Sequence, residues 1–291
     1  MGISKTTSTL LCELADQGLF KGKLLQLGVQ RISPESKKLV KIRSVKLGLN
    51  SVQKGAGKLR FWTALGFEKV RGLDYDDFEG ADIVCDLNLP IGEDNIEKFD
   101  VIFDGGTMEH VFNVKCFLEN IDRLLVIGGI VIHEVPSSNA IDHGFYSFSP
   151  TLFFDYYTKQ GYEIIEILLV AKNMYRAKVY EYFPKKSGSV ISENWGKRNV
   201  NVWCVARKVS GRSNFEIPQQ NKYVNAWSSA QQPIELILDA QPFLGVLNRK
   251  VKTALKLLNR RIPWFSVVNG LFSKKPKLIL KYQVNSKSEF V

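Results

Sequence analysis

A chain of 291 residues, 45% of them hydrophobic, can build one large domain with a full core, or a domain and an extension. Forty basic against 29 acidic residues leave a net charge of +11, which points to an anionic partner. No apolar run approaches the roughly 18 residues of a membrane span, and the scattered Cys12, Cys85, Cys116 and Cys204 form no CxxC pair, which argues against zinc and for reduced thiols in a cytosolic protein.

In chain order, residues 7–20 carry Leu10, Leu11, Leu14 and Leu19 at helical spacing, with Gly18 and Gly22 at the end. Lys23–Val29 reads as a buried strand running into Gly28. Residues 34–65 are basic and helix-biased, broken at Gly48 and Lys54–Gly57. Lys69–Asp74 and Asp82–Asp86 follow as strands that each end in an acid. Phe99–Asp104 is a strand stopped by Gly105-Gly106, after which Thr107 offers an N-cap to a helix through Val111, Val114, Phe117 and Ile121. A helix end at Gly128-Gly129, a strand Ile130–Val135 stopped by Pro136, a helix Phe153–Gln160, and strands Glu163–Val170 and Val200–Ala206 complete the pattern. This alternation predicts an α/β protein with a doubly wound, mostly parallel sheet.

Residues 172–199 break the rhythm. They are long for a connection and rich in aromatics, as either a lid over a site or a hairpin insert would be. The composition changes near Ser210, so we expect a domain over 1–212, a linker-like segment over 213–242 and an extension over 243–291. The extension reads as a basic amphipathic helix ended by Pro263. From Leu244 to Tyr282 there are ten Lys or Arg and no Asp or Glu. An anionic membrane surface, contacted through 243–282, is the expected partner of such a segment, placing a cytoplasmic protein peripherally on the membrane. Its alternatives are packing on the domain or an acidic protein groove.

Four strand ends carry the chemistry. Gly28 lets a backbone touch a ligand. Asp74, after the second strand, suits both hydroxyls of a ribose. Asp86, with Leu87 beside it, can accept from an adenine amino group. Asp104-Gly105-Gly106 closes the fourth. Together they describe a nucleoside cofactor site at the carboxyl edge of the sheet.

The stretch Phe99-Asp-Val-Ile-Phe-Asp…Glu109-His110-Val111, then Asn120-Ile-Asp-Arg-Leu-Leu125…Gly128-Gly129, then Val135-Pro136-Ser137, resembles the central part of class I S-adenosylmethionine-dependent methyltransferases of the small-molecule type. The resemblance implies a Rossmann-like seven-stranded sheet with helices on both faces, its last strand antiparallel. It also implies S-adenosylmethionine as cofactor and methyl transfer to a small polar molecule such as a sugar or sugar nucleotide. The alternative is a protein of this fold that binds without catalysing. The first motif departs from the family: Gln26-Leu27-Gly28-Val29-Gln30 replaces an acid and glycine-rich loop, leaving Gln26 as an uncharged acceptor for the amino group and Gln30 as a side chain able to intrude. A third class, a nucleic-acid modifier, is disfavoured because basic residues and aromatics do not interleave around the site.

All three histidines fall between the fourth strand and the loop after the fifth. Their spacings match no standard metal site, and none is expected. His143, beside Asp142 and past the fifth strand, is the candidate general base, with Asp142 steering it. His110 is the next candidate, and His133 reads as a satisfied core histidine. Glu109 and Tyr146 are the candidate substrate contacts.

Overall fold

The computed structural model describes residues 2–46, 57–92, 97–173, 176–184, 194–211, 215–224 and 279–285. In chain order the elements are β1 (Gly2–Ile3), α1 (Lys5–Asp16), β2 (Lys23–Leu27), β3 (Arg31–Ile32), α2 (Pro34–Lys46), α3 (Gly57–Thr63), β4 (Lys69–Asp74), β5 (Ile83–Val84), β6 (Phe99–Asp104), a 3₁₀ turn (Met108–His110), α4 (Val114–Leu124), β7 (Leu125–Ser138), α5 (Pro150–Lys159), β8 (Tyr162–Lys172), β9 (Arg176–Glu181), β10 (Asn199–Lys208) and β11 (Ile279–Asn285).

One sheet runs in the order β11-β9-β8-β10-β7-β6-β2-β4-β5. Strands β5, β4, β2, β6 and β7 pair in parallel, and β10 lies antiparallel between β7 and β8. This is a Rossmann-like sheet of seven strands, with the antiparallel last strand that the resemblance implies. β9 and β11 extend it by an antiparallel pair at the β8 edge.

Alternation along the strands separates the two faces. Leu24, Val101, Phe103, Ile130, Ile132, Trp203 and Val205 share a core with Leu10, Leu11 and Leu14 of α1 and Phe61 and Trp62 of α3. Trp62 is its densest point: it is fully buried, with ring centroids of Phe61, Phe103 and Phe67 at 5.1, 5.6 and 6.1 Å. The residues between these, His133 and Asp104 among them, face the opposite side, where Tyr157 of α5 lies.

The structure revises several boundaries. The helix after β6 starts at Val114, not Val111. Thr107 makes no side-chain cap bond, and Asn113 caps α4 by accepting from the Cys116 N–H at 3.2 Å. The intervening residues turn into a 3₁₀ turn because Asp104 holds their amides, as described below. β7 runs on through Pro136 to Ser138, since a register shift between Val200 and Asn201 accommodates the proline, which has no N–H to donate. Within 172–199, residues 176–181 form β9 and pair antiparallel with β8, while 185–193 lie outside the described residues. The compact unit that carries the sheet continues to Pro218. Phe215 packs on Tyr156 at 5.9 Å, and Gln160 donates to the Glu216 carbonyl at 2.5 Å. The amphipathic segment from 243 to 278 lies outside the described residues. Its last expected residues, 279–282, belong to strand β11 instead, where Lys281 Nζ meets Glu166 Oε2 at 3.0 Å. Among the described residues no helix is long and apolar enough to cross a membrane.

Trp62→Ala would remove the largest side chain of the α3 contact and should cost about 3–5 kcal/mol in urea unfolding. Trp62→Phe should cost far less, because the indole N–H is buried without a partner and its loss leaves nothing unsatisfied.

Candidate functional site

The strand order reverses direction between β2 and β6, and ligand crevices of α/β sheets open at the carboxyl ends of such strands. A cleft of about 360 Å³ opens there. Gly28, Val29 and Gln30 line it from the β2 turn, Leu73, Asp74 and Tyr75 from β4, Asp86, Leu87 and Asn88 after β5, and Gly106, Thr107, His110 and Val111 after β6.

The floor is two turns locked together. Gly28 has φ +72° and donates its N–H to the Leu73 carbonyl at 2.7 Å. A Cβ on it would come within 2.7 Å of Thr107 Oγ1, and that hydroxyl donates to the Leu27 carbonyl at 2.7 Å. Only glycine fits between the turns. Asp74 accepts from the Val29 N–H at 3.1 Å and the Tyr75 N–H at 2.8 Å, so it fixes the β2 turn and keeps acceptor capacity toward the cleft. Asp86 Oδ1 accepts from the Asn88 backbone and side-chain amides at 2.9 and 2.8 Å.

Sequence reasoning missed the residue that holds this third wall. Asn120, fully buried in α4, accepts from the Ile91 N–H at 2.9 Å and donates to the Leu89 carbonyl at 2.9 Å and the Leu87 carbonyl at 3.4 Å. An amide at a position of α4 that otherwise reads apolar was the available signal.

Three of the expected cofactor residues lie elsewhere. Asp104 is fully buried, and both its oxygens are taken: Oδ1 accepts from the Thr107 and Met108 N–H groups at 2.8 and 3.3 Å, and Oδ2 lies 2.7 Å from His133 Nδ1. His133 stands opposite it in the β6–β7 register, and its Nε2 meets the Tyr157 hydroxyl at 2.6 Å. Burial holds the Tyr157 phenol in its protonated form, so its hydroxyl is able to donate to an Nε2 whose partner nitrogen, Nδ1, donates to Asp104. The carboxylate thus shapes the turn and faces no ligand. Gly105 is closed off by Gln30, whose side-chain carbon and oxygen would lie 2.9 Å from a Cβ there. Gln26 is buried in β2 and lines no part of the cleft. The glutamine that reaches the cleft is Gln30. It donates to the Leu27 and Gly28 carbonyls at 3.3 Å, and its Oε1 is buried without a hydrogen-bond partner.

Beside the cleft, Glu109, His110 and His143 converge. His143 Nε2 and His110 Nε2 lie 3.6 and 3.9 Å from Glu109 Oε1, and the imidazole centroids are 5.3 Å apart. Asp142 does not do the steering expected of it. It is exposed at φ 64°, and the carboxylate within reach of His143 is that of Glu109. The loop after β7 is pressed onto this residue: Phe145 donates its N–H to the Glu109 carbonyl at 2.8 Å, and a Cβ on Gly144 would sit 2.8 Å from that oxygen. Glu109 has no exposed side-chain surface, and neither of its oxygens has a hydrogen-bond partner. Burial, then the charge of Asp104, pushes its carboxyl up to about 8. Burial, then His143, lowers His110. Three donor atoms of this trio lie within 4.8 Å of one another, an arrangement that can hold or move a proton or ligate a cation. Tyr146 is close by, but its hydroxyl donates to the Phe112 carbonyl at 3.0 Å. Its ring joins those of Phe112 and Phe145 in an aromatic rim, with Phe112 and Phe145 70% and 67% exposed.

The chain thus combines a Rossmann-like sheet with an antiparallel last strand, a glycine turn at the switch point and acids after the next two strands. No family model matches the chain, and no curated protein matches it. Similar solved structures include TehB from Haemophilus influenzae, at 16% identity over 68% of this chain and 61% of that one, TM-score 0.37. The N-methyltransferase NodS from Bradyrhizobium japonicum WM9, in complex with S-adenosyl-L-homocysteine, is 12% identical over 71% of this chain and 87% of its own, TM-score 0.41. An S-adenosylmethionine-dependent methyltransferase from Clostridium acetobutylicum is 9% identical over 71% and 92%, TM-score 0.32. The chain spans less than two thirds of TehB. The fold rests on the strand order of this chain, and its function on the residues of the cleft.

The raised Glu109 carboxyl gives a pH prediction. Its ordinary value is 4.5 and its folded value about 8, so between these the folded state holds a proton that the unfolded chain has lost. Stability should therefore fall as pH rises from about 4.5 to 8, by roughly 3–5 kcal/mol for this group. Glu109→Gln should remove that decline and be more stable than the parent at pH 8, measured by urea unfolding in chelator-containing buffer.

Proposed function

We propose that this protein transfers a methyl group from S-adenosylmethionine to an oxygen of a small polar molecule such as a sugar or sugar nucleotide. The observation that carries the reading is that Asp74 and Asp86, from successive strand ends, line one cleft together with His110. Asp74 uses two of its roughly four acceptor positions within the protein, which leaves two for the ribose hydroxyls. Asp86 Oδ2 suits the adenine amino group, with buried Leu87 against the ring. The backbones of Gly28 and Gly106 admit the methionine half. Gln30 Oε1, buried and without a partner, is the acceptor at hand for its ammonium group.

The aromatic rim of Phe112, Phe145 and Tyr146 offers an apolar face on which a sugar ring could lie, next to the Glu109–His110–His143 trio. Holding the sulfonium methyl and the acceptor oxygen in line can supply about 7–11 kcal/mol of the barrier. Removal of the acceptor proton at His143 supplies about 10²–10⁴-fold more. The basic sequence after Leu244 supports a cytoplasmic protein held peripherally on an anionic membrane.

Calorimetric titration with S-adenosylhomocysteine tests the cofactor. The parent should bind, and Asp74→Ala should weaken binding by about 1.5–3 kcal/mol, the worth of charge-assisted hydrogen bonds. Absence of binding at millimolar ligand overturns the enzyme reading in favour of a non-catalytic binding protein.

His143→Ala should lower turnover about 10²–10⁴-fold and leave S-adenosylhomocysteine affinity nearly unchanged. Unaltered turnover, or loss of cofactor affinity, would remove His143 from the reaction.

A further inference from the structure

Glu109 is the anomaly of the molecule. A carboxylate with no exposed surface and two unpartnered oxygens is costly wherever it lies. Here Oε1 is turned toward two imidazole nitrogens at 3.6 and 3.9 Å, too far for a hydrogen bond and close to the spacing of ligands around a shared ion. Bonds of roughly 2.0–2.2 Å at tetrahedral angles put neighbouring donor atoms roughly 3.3–3.5 Å apart. The trio's donor atoms all lie within 4.8 Å of one another, so gathering them around one ion requires movements of up to about an ångström, within the rotamer freedom of two half-exposed imidazoles.

We infer that Glu109, His110 and His143 form a binding site for one divalent transition-metal cation at the mouth of the cleft. Two imidazoles and one carboxylate suit zinc, manganese, iron(II) or cobalt(II), and are poor for magnesium or calcium, which take oxygen ligands. Three protein ligands leave positions open to solvent or substrate, since His110 and His143 are 49% and 42% exposed. The site is built in advance. The 3₁₀ turn that carries Glu109 and His110 is fixed by Asp104, and the loop that carries His143 is tied to the Glu109 carbonyl by the Phe145 amide.

This deepens the methyl-transfer reading and rests on it only for what the cation does. An acceptor hydroxyl bound at the open position becomes more acidic and gives its proton to water. The oxygen then attacks the sulfonium methyl. The new C–O bond forms as the S–C bond breaks, and the electron pair stays on sulfur, giving S-adenosylhomocysteine. His143 then serves as a ligand rather than as the base, and its alanine variant still loses turnover.

The test uses the full chain, stripped with chelator, dialysed and titrated with cobalt(II) in the absence of cofactor. One equivalent should bind with visible ligand-field absorption of a nitrogen–oxygen site, and zinc should bleach it. Glu109→Gln and His143→Ala should each weaken binding at least tenfold. Neither should unfold the protein by circular dichroism, since one replaces a buried carboxyl by an isosteric neutral amide and the other removes a loop side chain. Absence of binding at millimolar cobalt or zinc, binding unchanged in both variants, or intense thiolate charge-transfer bands would overturn the site. S-adenosylhomocysteine titration of the same stripped protein separates the two readings: a protein that binds the cofactor but takes up neither cobalt nor zinc overturns this site alone, and one that takes up metal but not the cofactor overturns methyl transfer alone.

Discussion

The Asp104–His133 pair is the constraint on which the rest of the site depends. A fully buried carboxylate is tolerable only when its acceptors are used, and here one oxygen takes two backbone amides and the other an imidazole. The pair joins the carboxyl end of β6 to the body of β7, and Tyr157 links the imidazole to α5. The same carboxylate stops β6, folds Gly105-Gly106 into a turn and starts the 3₁₀ turn at Met108. That turn delivers Glu109 inward and His110 to the cleft. A single buried hydrogen-bonded chain therefore sets the position of Glu109 and His110.

The cleft divides between two kinds of carboxylate. Asp74 and Asp86 line the cleft partly solvated; Asp74 holds the β2 turn and its own turn, Asp86 holds Asn88, and each keeps acceptor positions that the protein does not use. Glu109 is sealed beneath the loop after β7 with nothing bound to it. The first arrangement suits neutral hydroxyl and amino groups of a nucleoside. The second makes sense where a proton or a cation arrives to offset the buried charge, because the protein supplies no donor of its own.

The altered first loop has a compact physical solution. In place of further glycines the chain offers Gln30, whose amide folds back onto the Leu27 and Gly28 carbonyls and fills the space over Gly105. The long interval between Gly28 and Asp74 holds two helices, α2 and α3, and α3 brings Trp62 against Phe103 of β6. These helices thus build core on one face of the sheet.

The sequence by itself determined the element types, the alternation that gives a doubly wound sheet, and the strand ends at Gly28 and Asp74, because strand periodicity and turn chemistry are local properties; the strand expected to run to Asp86 stops at Val84, and Asp86 lies in the turn beyond it. Lys69–Asp74 and Phe99–Asp104 stand as strands with the limits read from the residues. Only the tertiary structure decided which acids face a ligand. Asp104 looks like its neighbours in sequence, yet His133 lies opposite it in register 29 residues later and turns it inward. Likewise Asp142 adjoins His143 along the chain, but a left-handed backbone directs it to solvent, and Glu109, from another strand end, takes its place. Spacing along a chain cannot report such meetings, because they depend on how parallel strands bring separate loops to one edge of the sheet.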